Sequence, residues 1–115
     1  MLIVQKYGGS SVANAERVFN VAKRIMRTRM EGNDVVVVLS AQGKTTDGLI
    51  AKAKEINAKP SRREMDMLLS TGEQQSVALM AMAISTLDTL DWKYRGRLTI
   101  LEEAKLSRWK WVMEI

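Results

Sequence analysis

Five consecutive apolar residues, Val35-Val36-Val37-Val38-Leu39, constrain the fold of this chain more than any other segment. Four of the five are β-branched, which favours a strand over a helix. The run has no alternation of polar and apolar residues, and such strands are typical of parallel sheets that helices cover on both faces. The segment therefore predicts a central strand of an α/β fold.

A second predicted strand and a predicted helix precede this run. Leu2 to Lys6 predicts a buried strand. Val12 to about Arg29 carries apolar residues at helical spacing, with Asn14 as the candidate N-cap. A strand, a helix and a strand in this order predict a βαβ unit, in which the two strands run parallel.

Helical patterns dominate the middle of the chain. The apolar spacing from Leu49 to Ile56 predicts a helix, and Pro60 marks its end. Ser61-Arg62-Arg63-Glu64 is a capping box that begins another helix. We expect Ser70-Thr71-Gly72-Glu73 to interrupt this helix, and a further helix to run from Gln74 to about Leu87.

The last part of the chain has a different character, because it holds all three tryptophans, Trp92, Trp109 and Trp111. The pattern predicts a strand at Leu98–Leu101 and an amphipathic helix from Glu102 to Met113. We therefore divide the chain into a first unit, residues 1–87, and an atypical tail, residues 88–115.

Composition narrows the classes of function. The chain has 115 residues, 46% of them hydrophobic and 27% charged, which is enough for one modest domain. It contains no cysteine, which excludes disulfides and fits a reducing, cytoplasmic location. It contains no histidine, the commonest general base and metal ligand, and we expect no metal site.

Charge and hydropathy bear on the partners. The net charge is +5, but the lysines and arginines are not clustered with aromatic residues, so we expect no nucleic acid partner. No apolar run is long enough for a signal peptide or a membrane span, so we expect no membrane partner.

Two polar loops that contain glycine follow the two predicted parallel strands, at Tyr7–Ser11 and Ser40–Gly48. Ligands of open α/β sheets bind beyond the carboxyl ends of the strands, where both loops would lie. Glycine N–H groups approach anions closely, a helix start adds unpaired N–H donors, and Lys6 adds a full charge. The first loop therefore predicts a phosphate cradle, although spacing alone leaves an ordinary βα connection as the alternative. The P-loop and Rossmann glycine patterns are both absent.

Three segments together resemble the motifs of aspartokinases, which belong to the amino acid kinase superfamily. They are Val4–Val12 (VQKYGGSSV), Val35–Asp47 (VVVVLSAQGKTTD) and Leu68–Glu73 (LLSTGE). The resemblance covers residue 1 to about residue 84. It implies an α/β fold with the parallel-sheet βαβ core of the amino acid kinase type, truncated, with a helix-rich second half. Residues 1–87 would then be the N-terminal part of an amino acid kinase domain.

The resemblance also implies a reaction. Aspartokinases transfer the γ-phosphoryl group of ATP, used with Mg²⁺, to the side-chain carboxylate of L-aspartate. The product is 4-phospho-L-aspartate, and the reaction is the first step of lysine, threonine and methionine biosynthesis. Carried over by position, Lys6 would be the catalytic residue and Glu73 would bind the ammonium group of aspartate. The other implied ligands are Lys6, Tyr7, Gly8, Gly9, Ser10 and Ser40 for ATP, and Thr45 and Thr46 for aspartate.

The sequence also departs from the family pattern. Gly48 stands where the family usually has an acidic residue, and after Ile84 the sequence lacks the family's Ser-Leu-Thr-Gly segment, its Gly-Ser-Asp motif and its ACT domains. We therefore expect this chain to be inactive alone. Leu90-Asp91-Trp92 can be encoded so that a shift of one base gives Leu-Thr-Gly, which suggests a frameshifted or foreign tail.

Two alternative functions stay open at this point. The chain could be a non-catalytic interaction module that self-associates into a homo-oligomer through sheet edges and Trp109 and Trp111. It could also be a different amino acid kinase that acts on glutamate, carbamate or a nucleotide. Thr45-Thr46 and Ser70–Glu73 argue against that second alternative.

Overall fold

A computed structural model describes residues 1–88, 96–102 and 112–114, the last of these as backbone only. In chain order, the secondary-structure elements of these residues are β1 (Leu2–Tyr7), a 3₁₀ turn (Gly9–Val12), α1 (Ala15–Met30), β2 (Asp34–Leu39), α2 (Thr45–Ile56), α3 (Arg62–Leu87), β3 (Leu98–Glu102) and β4 (Val112–Glu114).

The strands form a single mixed sheet in the order β1-β2-β3-β4. β1 and β3 both run parallel to β2, and β4 runs antiparallel to β3. In this register Tyr7 lies beside Leu39, so β1 and β2 end at the same edge of the sheet. The α/β fold class and the parallel βαβ unit that the sequence predicts are therefore confirmed.

One face of the sheet, which we call the covered face, packs against α1 and α3. Helix side chains such as Ile25, Met80 and Ile84 are fully buried there and belong to the same apolar cluster as the strands. The buried apolar strand residues of the covered face are Tyr7, Val35, Val37, Leu39, Leu98 and Ile100. Because alternate residues of a strand point to opposite faces, these positions lie on one surface of the sheet, which also carries the buried Glu102.

The opposite face of the sheet, which we call the open face, is not covered in the same way. It carries Leu2, Val4, Lys6, Asp34, Val36, Val38, Thr99 and Leu101. Leu2 and Val4 are 65% and 64% exposed. The expectation that Leu2 to Lys6 forms a buried strand is therefore wrong. β1 lies at one end of the strand order, and α1 and α3 pack on the other face.

The start of α1 shows why the helix begins later than Val12. Gly9–Val12 forms a 3₁₀ turn, and Asn14 then takes an extended backbone conformation with φ of −148°. The Asn14 side chain accepts a hydrogen bond of 2.9 Å from the Arg17 N–H, as an N-cap does. The predicted N-cap is confirmed, and it places the first helical residue at Ala15.

Helix α3 is continuous across Ser70–Glu73, so the predicted interruption there is wrong. The Ser70 and Thr71 hydroxyls donate to the carbonyls of Met67 and Leu68, at 2.7 and 2.6 Å. Their polar groups are therefore satisfied within the helix and do not end it. The capping box is half confirmed, because the Ser61 side chain accepts from the Glu64 N–H at 3.5 Å.

The tail contributes strands to the same sheet. The predicted strand at Leu98–Leu101 is confirmed as β3. The helix predicted from Glu102 to Met113 is wrong at both ends, because Glu102 ends β3 and Val112–Glu114 forms β4. β3 pairs along most of β2, and this long-range pairing overrides the local helical pattern.

Other features of the tail stay predictions. Trp92, Trp109, Trp111 and Leu90-Asp91-Trp92 lie outside the described residues. The division of the chain after residue 87 and the frameshifted or foreign origin of the tail therefore also stay predictions. Within the described ranges, no helix is both long enough and apolar enough to cross a membrane.

Candidate functional site

The loops that follow β1 and β2 are joined by backbone hydrogen bonds at one edge of the sheet. The Gly43 N–H donates to the Gly9 carbonyl at 3.0 Å, and the Ser40 N–H donates to the Tyr7 carbonyl at 3.2 Å. The structure thus brings together the two polar loops that the sequence analysis placed at this edge.

The two glycines of the first loop play different structural roles. A Cβ built on Gly9 would lie 2.6 Å from the Ala41 carbonyl oxygen and 3.3 Å from the Gly43 backbone. A Cβ on Gly8 would meet no atom within 4 Å. Only a glycine therefore lets the first loop lie this close to the second at position 9, whereas position 8 is open space.

Two long polar side chains hold the loops in place. The Gln42 Nε2 donates to the Val12 carbonyl at 2.8 Å, and the Arg17 Nη1 donates to the Ser10 carbonyl at 2.6 Å. Neither residue is predicted from the sequence as part of the site. Arg17 could have been found, because it lies in the helix turn that follows the first loop. Gln42 carries no signal beyond its place in the second loop.

Helix α3 brings the third motif against the second loop. A Cβ on Gly72 would lie 3.1 Å from both the Ala41 Cβ and the Thr45 Cγ2. The next residue, Glu73, is buried in α3. Thr45 and Thr46 are half-buried in the first turn of α2, where the Thr45 N–H donates to the Gln42 carbonyl at 2.9 Å. The expected helix start at Leu49 is therefore too late, and both threonines belong to the helix.

Lys6 and Tyr7 point to opposite faces of β1. The Lys6 side chain lies on the open face and is exposed, whereas the Tyr7 side chain is buried on the covered face. The Tyr7 hydroxyl donates to Gln5 Oε1 at 3.0 Å. Burial raises the pKa of the Tyr7 phenol, and the nearby Arg24 guanidinium, which hydrogen-bonds to it, partly offsets that rise. Tyr7 therefore stays a neutral phenol at physiological pH.

A cavity of about 280 Å³ opens beside the first loop. Tyr7, Ser10 and Ser11 line it together with the Arg17 and Arg24 side chains of α1. Two guanidinium groups beside serine hydroxyls form a positive, hydrogen-bonding surface that suits an anionic group. The predicted ATP residues Tyr7 and Ser10 thus share one cavity wall, while Lys6 lies outside its lining.

The described residues do not form a metal centre of their own. Within residues 1–88 and 96–102, no group of three or more acidic, histidine or cysteine side chains could hold a metal ion. The chemistry that the site offers consists of a lysine ammonium, arginine guanidinium groups, hydroxyls, loop N–H groups and one buried carboxyl group. Such a set can bind anions and a small zwitterion by charge and hydrogen bonds.

Comparison with known proteins places this geometry in a family. The model of the amino acid kinase family matches residues 1–95, which extends beyond the limit near Ile84 that we expected from the motifs. An aspartokinase of Bacillus sp. (strain MGA3) is 60% identical over 84 residues, and one of Corynebacterium glutamicum is 60% identical over 95 residues. The crystal structure of aspartate kinase from Synechocystis matches with a TM-score of 0.75 and 57% identity, over 76% of this chain.

The match covers most of this chain but little of its relatives. The aligned segments are 73% of this chain and 20% of the Bacillus protein, and 83% of this chain and 23% of the Corynebacterium protein. The structural match covers 15% of the Synechocystis chain. The chain therefore spans about a fifth of the length of the curated aspartokinases that it matches.

Proposed function

Because this chain belongs to the amino acid kinase family, we propose that it carries the phosphate-binding and aspartate-binding segments of an aspartokinase. The reaction would be transfer of the γ-phosphoryl group of ATP to the side-chain carboxylate of L-aspartate. One observation supports this proposal most. The Gly9–Gly43 hydrogen bond and the Gly72 contact with Ala41 and Thr45 bring all three motifs together.

The phosphate groups of ATP would be held at the first loop. Lys6 would pair with phosphate oxygens and neutralise the charge that develops as the phosphoryl group transfers. Gly8 and Gly9 would offer backbone N–H groups, and Ser10 and Ser40 would offer hydroxyls. The Arg17 and Arg24 guanidinium groups in the neighbouring cavity make the potential at this loop more positive.

L-Aspartate would be held between the second loop and α3. Thr45 and Thr46 would donate hydrogen bonds to a carboxylate of the substrate from the first turn of α2. Glu73 would accept hydrogen bonds from the ammonium group, because a buried carboxylate is a strong partner for a cation. This arrangement orients the side-chain carboxylate toward the phosphate loop.

The proposed step needs positioning and charge neutralisation more than a base. A side-chain carboxylate oxygen of aspartate attacks the γ-phosphorus and forms a new P–O bond. The bond from the γ-phosphorus to the bridging oxygen breaks, and ADP leaves with that electron pair. The carboxylate is already ionised near neutral pH, so a chain without histidine can support this chemistry. Magnesium would come with ATP, since Mg²⁺ in kinase sites is held largely by substrate phosphates and water.

The decisive test measures ATP binding before and after Lys6→Ala, with Lys54→Ala in α2 as the matched control. Loss of one lysine charge from a phosphate site should weaken Mg-ATP binding about tenfold or more. The control removes the same charge at a distance and should bind ATP like the unchanged chain. Equal ATP affinity of the unchanged chain and the Lys6→Ala variant in equilibrium dialysis would refute the proposed cradle.

The identity of the second substrate needs a separate competition experiment. L-Aspartate should protect the second loop and the Gly72 region of α3 from hydrogen exchange when Mg-ATP is present, and L-glutamate and UMP should not. Protection by glutamate or UMP instead would favour a different amino acid kinase. We expect no turnover by this chain alone in a coupled ATPase assay with aspartate.

The pathway and the location follow from the same proposal. The proposed phosphorylation of L-aspartate, which gives 4-phospho-L-aspartate, would be the first step of lysine, threonine and methionine biosynthesis. The absence of cysteine fits a reducing compartment, and we propose a cytoplasmic location. The second candidate function is a non-catalytic interaction module, which the open face of the sheet favours.

A further inference from the structure

We propose that the cavity beside the first loop is a binding site for inorganic phosphate, separate from the place where Lys6 would meet ATP. We call it the arginine cavity, because the Arg17 and Arg24 side chains of α1 line it together with Ser10 and Ser11. Inorganic phosphate is neither a substrate nor a product of the proposed phosphoryl transfer. The site therefore goes beyond the proposed function and does not require it.

The arginine cavity lies on the other side of β1 from the Lys6 side chain. Tyr7 and Val21, which line the cavity, belong to the apolar cluster of the covered face, whereas Lys6 lies on the open face. Among the described residues that would hold the phosphates of ATP, Ser10 alone lines this cavity. An anion bound there would contact a different set of side chains from a γ-phosphate at Lys6.

Hydrogen bonds within the chain hold both guanidinium groups beside the cavity. The Arg17 Nη1 donates to the Ser10 carbonyl at 2.6 Å, and the Arg24 guanidinium donates to the Tyr7 hydroxyl. A guanidinium has five N–H donors, so one hydrogen bond to the chain leaves others for a ligand. Because the two groups are positioned before a ligand arrives, less side-chain entropy is lost on binding.

The charge of the lining distinguishes this cavity from its neighbours. It contains Arg17 and Arg24 and, among the described residues, no carboxyl group. Two other cavities in the described part of the chain lie between α1 and α3 and between α2 and α3. Their linings are mostly apolar and contain neither lysine nor arginine. The distribution of charge therefore favours the arginine cavity as a site for an anion.

The donors in this cavity favour phosphate over chloride or a simple carboxylate. The planar fork of an arginine pairs with two oxygens of a phosphate at once. The Ser10 and Ser11 hydroxyls and the Asn20 amide add donors from other directions. A phosphate offers more acceptor oxygens to such a set than the two of a carboxylate. The cavity of about 280 Å³ can hold an anion of this size together with bound water.

The test titrates the full chain with potassium phosphate and, as a reference, with potassium chloride at equal ionic strength. We expect phosphate but not chloride to raise the midpoint of thermal unfolding, because a ligand that binds only the folded chain stabilises it. The Nε–H resonances of Arg17 and Arg24 should shift in NMR spectra as phosphate saturates the site. Equal effects of the two salts would overturn the proposal, because charge screening would then account for both.

Matched variants of α1 locate the site. Arg24→Gln removes a guanidinium from the cavity, and Arg27→Gln removes one from an exposed position outside its lining. We expect Arg24→Gln to weaken phosphate binding about tenfold in isothermal titration calorimetry, and Arg27→Gln to leave it unchanged. Arg17→Gln should also weaken binding, although it removes the hydrogen bond to Ser10 as well. Equal phosphate affinities of the Arg24→Gln and Arg27→Gln chains would refute the site.

The Lys6→Ala variant separates this site from the proposed ATP cradle. We expect it to bind phosphate with unchanged affinity, since Lys6 lies outside the lining of the cavity. Loss of phosphate binding in this variant would place the anion at Lys6 and overturn the proposal. Lys6-dependent ATP binding in a chain that does not bind phosphate would refute the phosphate site and keep the proposed function. Arg24-dependent phosphate binding with ATP affinity that does not depend on Lys6 would do the reverse.

Discussion

The two faces of the sheet contain similar residues but have opposite surroundings. On β2, Val35 and Val37 are fully buried against α1 and α3, whereas their neighbours Val36 and Val38 on the open face are only half-buried. All four are valines in one unbroken run. The difference shows that side-chain type identified the strand, and that the position of the helices decided which face became core.

The same contrast between covered and open positions extends to the glycines near the site. Gly9 and Gly72 lie against other parts of the chain, whereas Gly8 and Gly48 face open space. Matched substitutions at covered and open positions should therefore have effects of different size or sign. We predict the outcome of three such matched pairs and of one titration, that of the buried Tyr7, from the largest expected effect to the smallest.

The largest effect is expected from truncating an apolar side chain on the covered face. Ile100 is fully buried, so Ile100→Ala should lower the free energy of unfolding by about 2–5 kcal/mol through lost burial and a residual cavity. Val4→Ala on the open face should change it by less than about 0.5 kcal/mol. Urea denaturation measures both, and similar losses from the two variants would show that the open face is as well packed as the covered one.

The next largest effect is expected at the glycine pair after β1. Gly9→Ala would push its Cβ into the Ala41 carbonyl and should destabilise the chain by about 1–3 kcal/mol. Gly8 has φ of −77° and open space around its Cβ position, so Gly8→Ala should be nearly neutral. Thermal unfolding compares the two variants. An equal shift of the melting temperature would contradict the close contact between the loops.

The buried phenol of Tyr7 predicts an alkaline loss of stability. Its pKa is raised in the folded chain, so the unfolded chain ionises first, from about pH 10 upward. The stability that the neutral phenol contributes is fully present below pH 10 and is lost as pH rises toward the folded-state pKa. Tyr7→Phe removes this titration, together with a hydrogen bond to Gln5 that contributes about 1 kcal/mol.

The measurement for Tyr7 is a difference between two proteins. We expect the free energy of unfolding of the unchanged chain, minus that of Tyr7→Phe, to fall between pH 9 and pH 11. Lysine titrations occur in both proteins and cancel in this difference. A constant difference across the range would show that the phenol is as accessible in the folded chain as in the unfolded one.

The smallest effect is expected to be stabilising. Gly48 lies inside α2 with no atom within 4 Å of its Cβ position, so Gly48→Ala should raise stability by about 0.5–1 kcal/mol through helix propensity. Gly72 also lies within a helix, but an added Cβ would be 3.1 Å from Ala41 and Thr45. Gly72→Ala should therefore gain less than Gly48→Ala or lose stability. A larger gain at Gly72, measured by urea denaturation, would refute the tight packing of α3 on the second loop.

Several elements could be predicted because their signals are local. The Asn14 side chain caps α1 by accepting from the Arg17 N–H three residues later, and the Ser61 side chain caps α3 by accepting from the Glu64 N–H. The valine run predicted β2, and the strand at Leu98–Leu101 followed from its own apolar residues. The three motifs of the candidate site could be identified in sequence because each is a short, continuous segment.

Two of the wrong predictions share one cause, which is that distant residues determined the outcome. Ser70–Glu73 contains residues that often break helices, but Gly72 serves a contact with Ala41, about thirty positions away, and the helix continues through it. Glu102 has a helical pattern after it, but pairing with β2 keeps it in β3. No window of neighbouring residues contains either contact.

The sequence by itself determined the βαβ order, the apolar character of its strands, the helix caps and the three motifs of the family. These depend on backbone preferences and hydrogen bonds between residues close in the chain. Only the tertiary structure decided that α1 and α3 cover one face of the sheet, that Gly9 rather than Gly8 must be small, and that Leu2 and Val4 stay exposed. Burial depends on which layers meet in space, and the free energy of that contact is set by side chains far apart in the sequence.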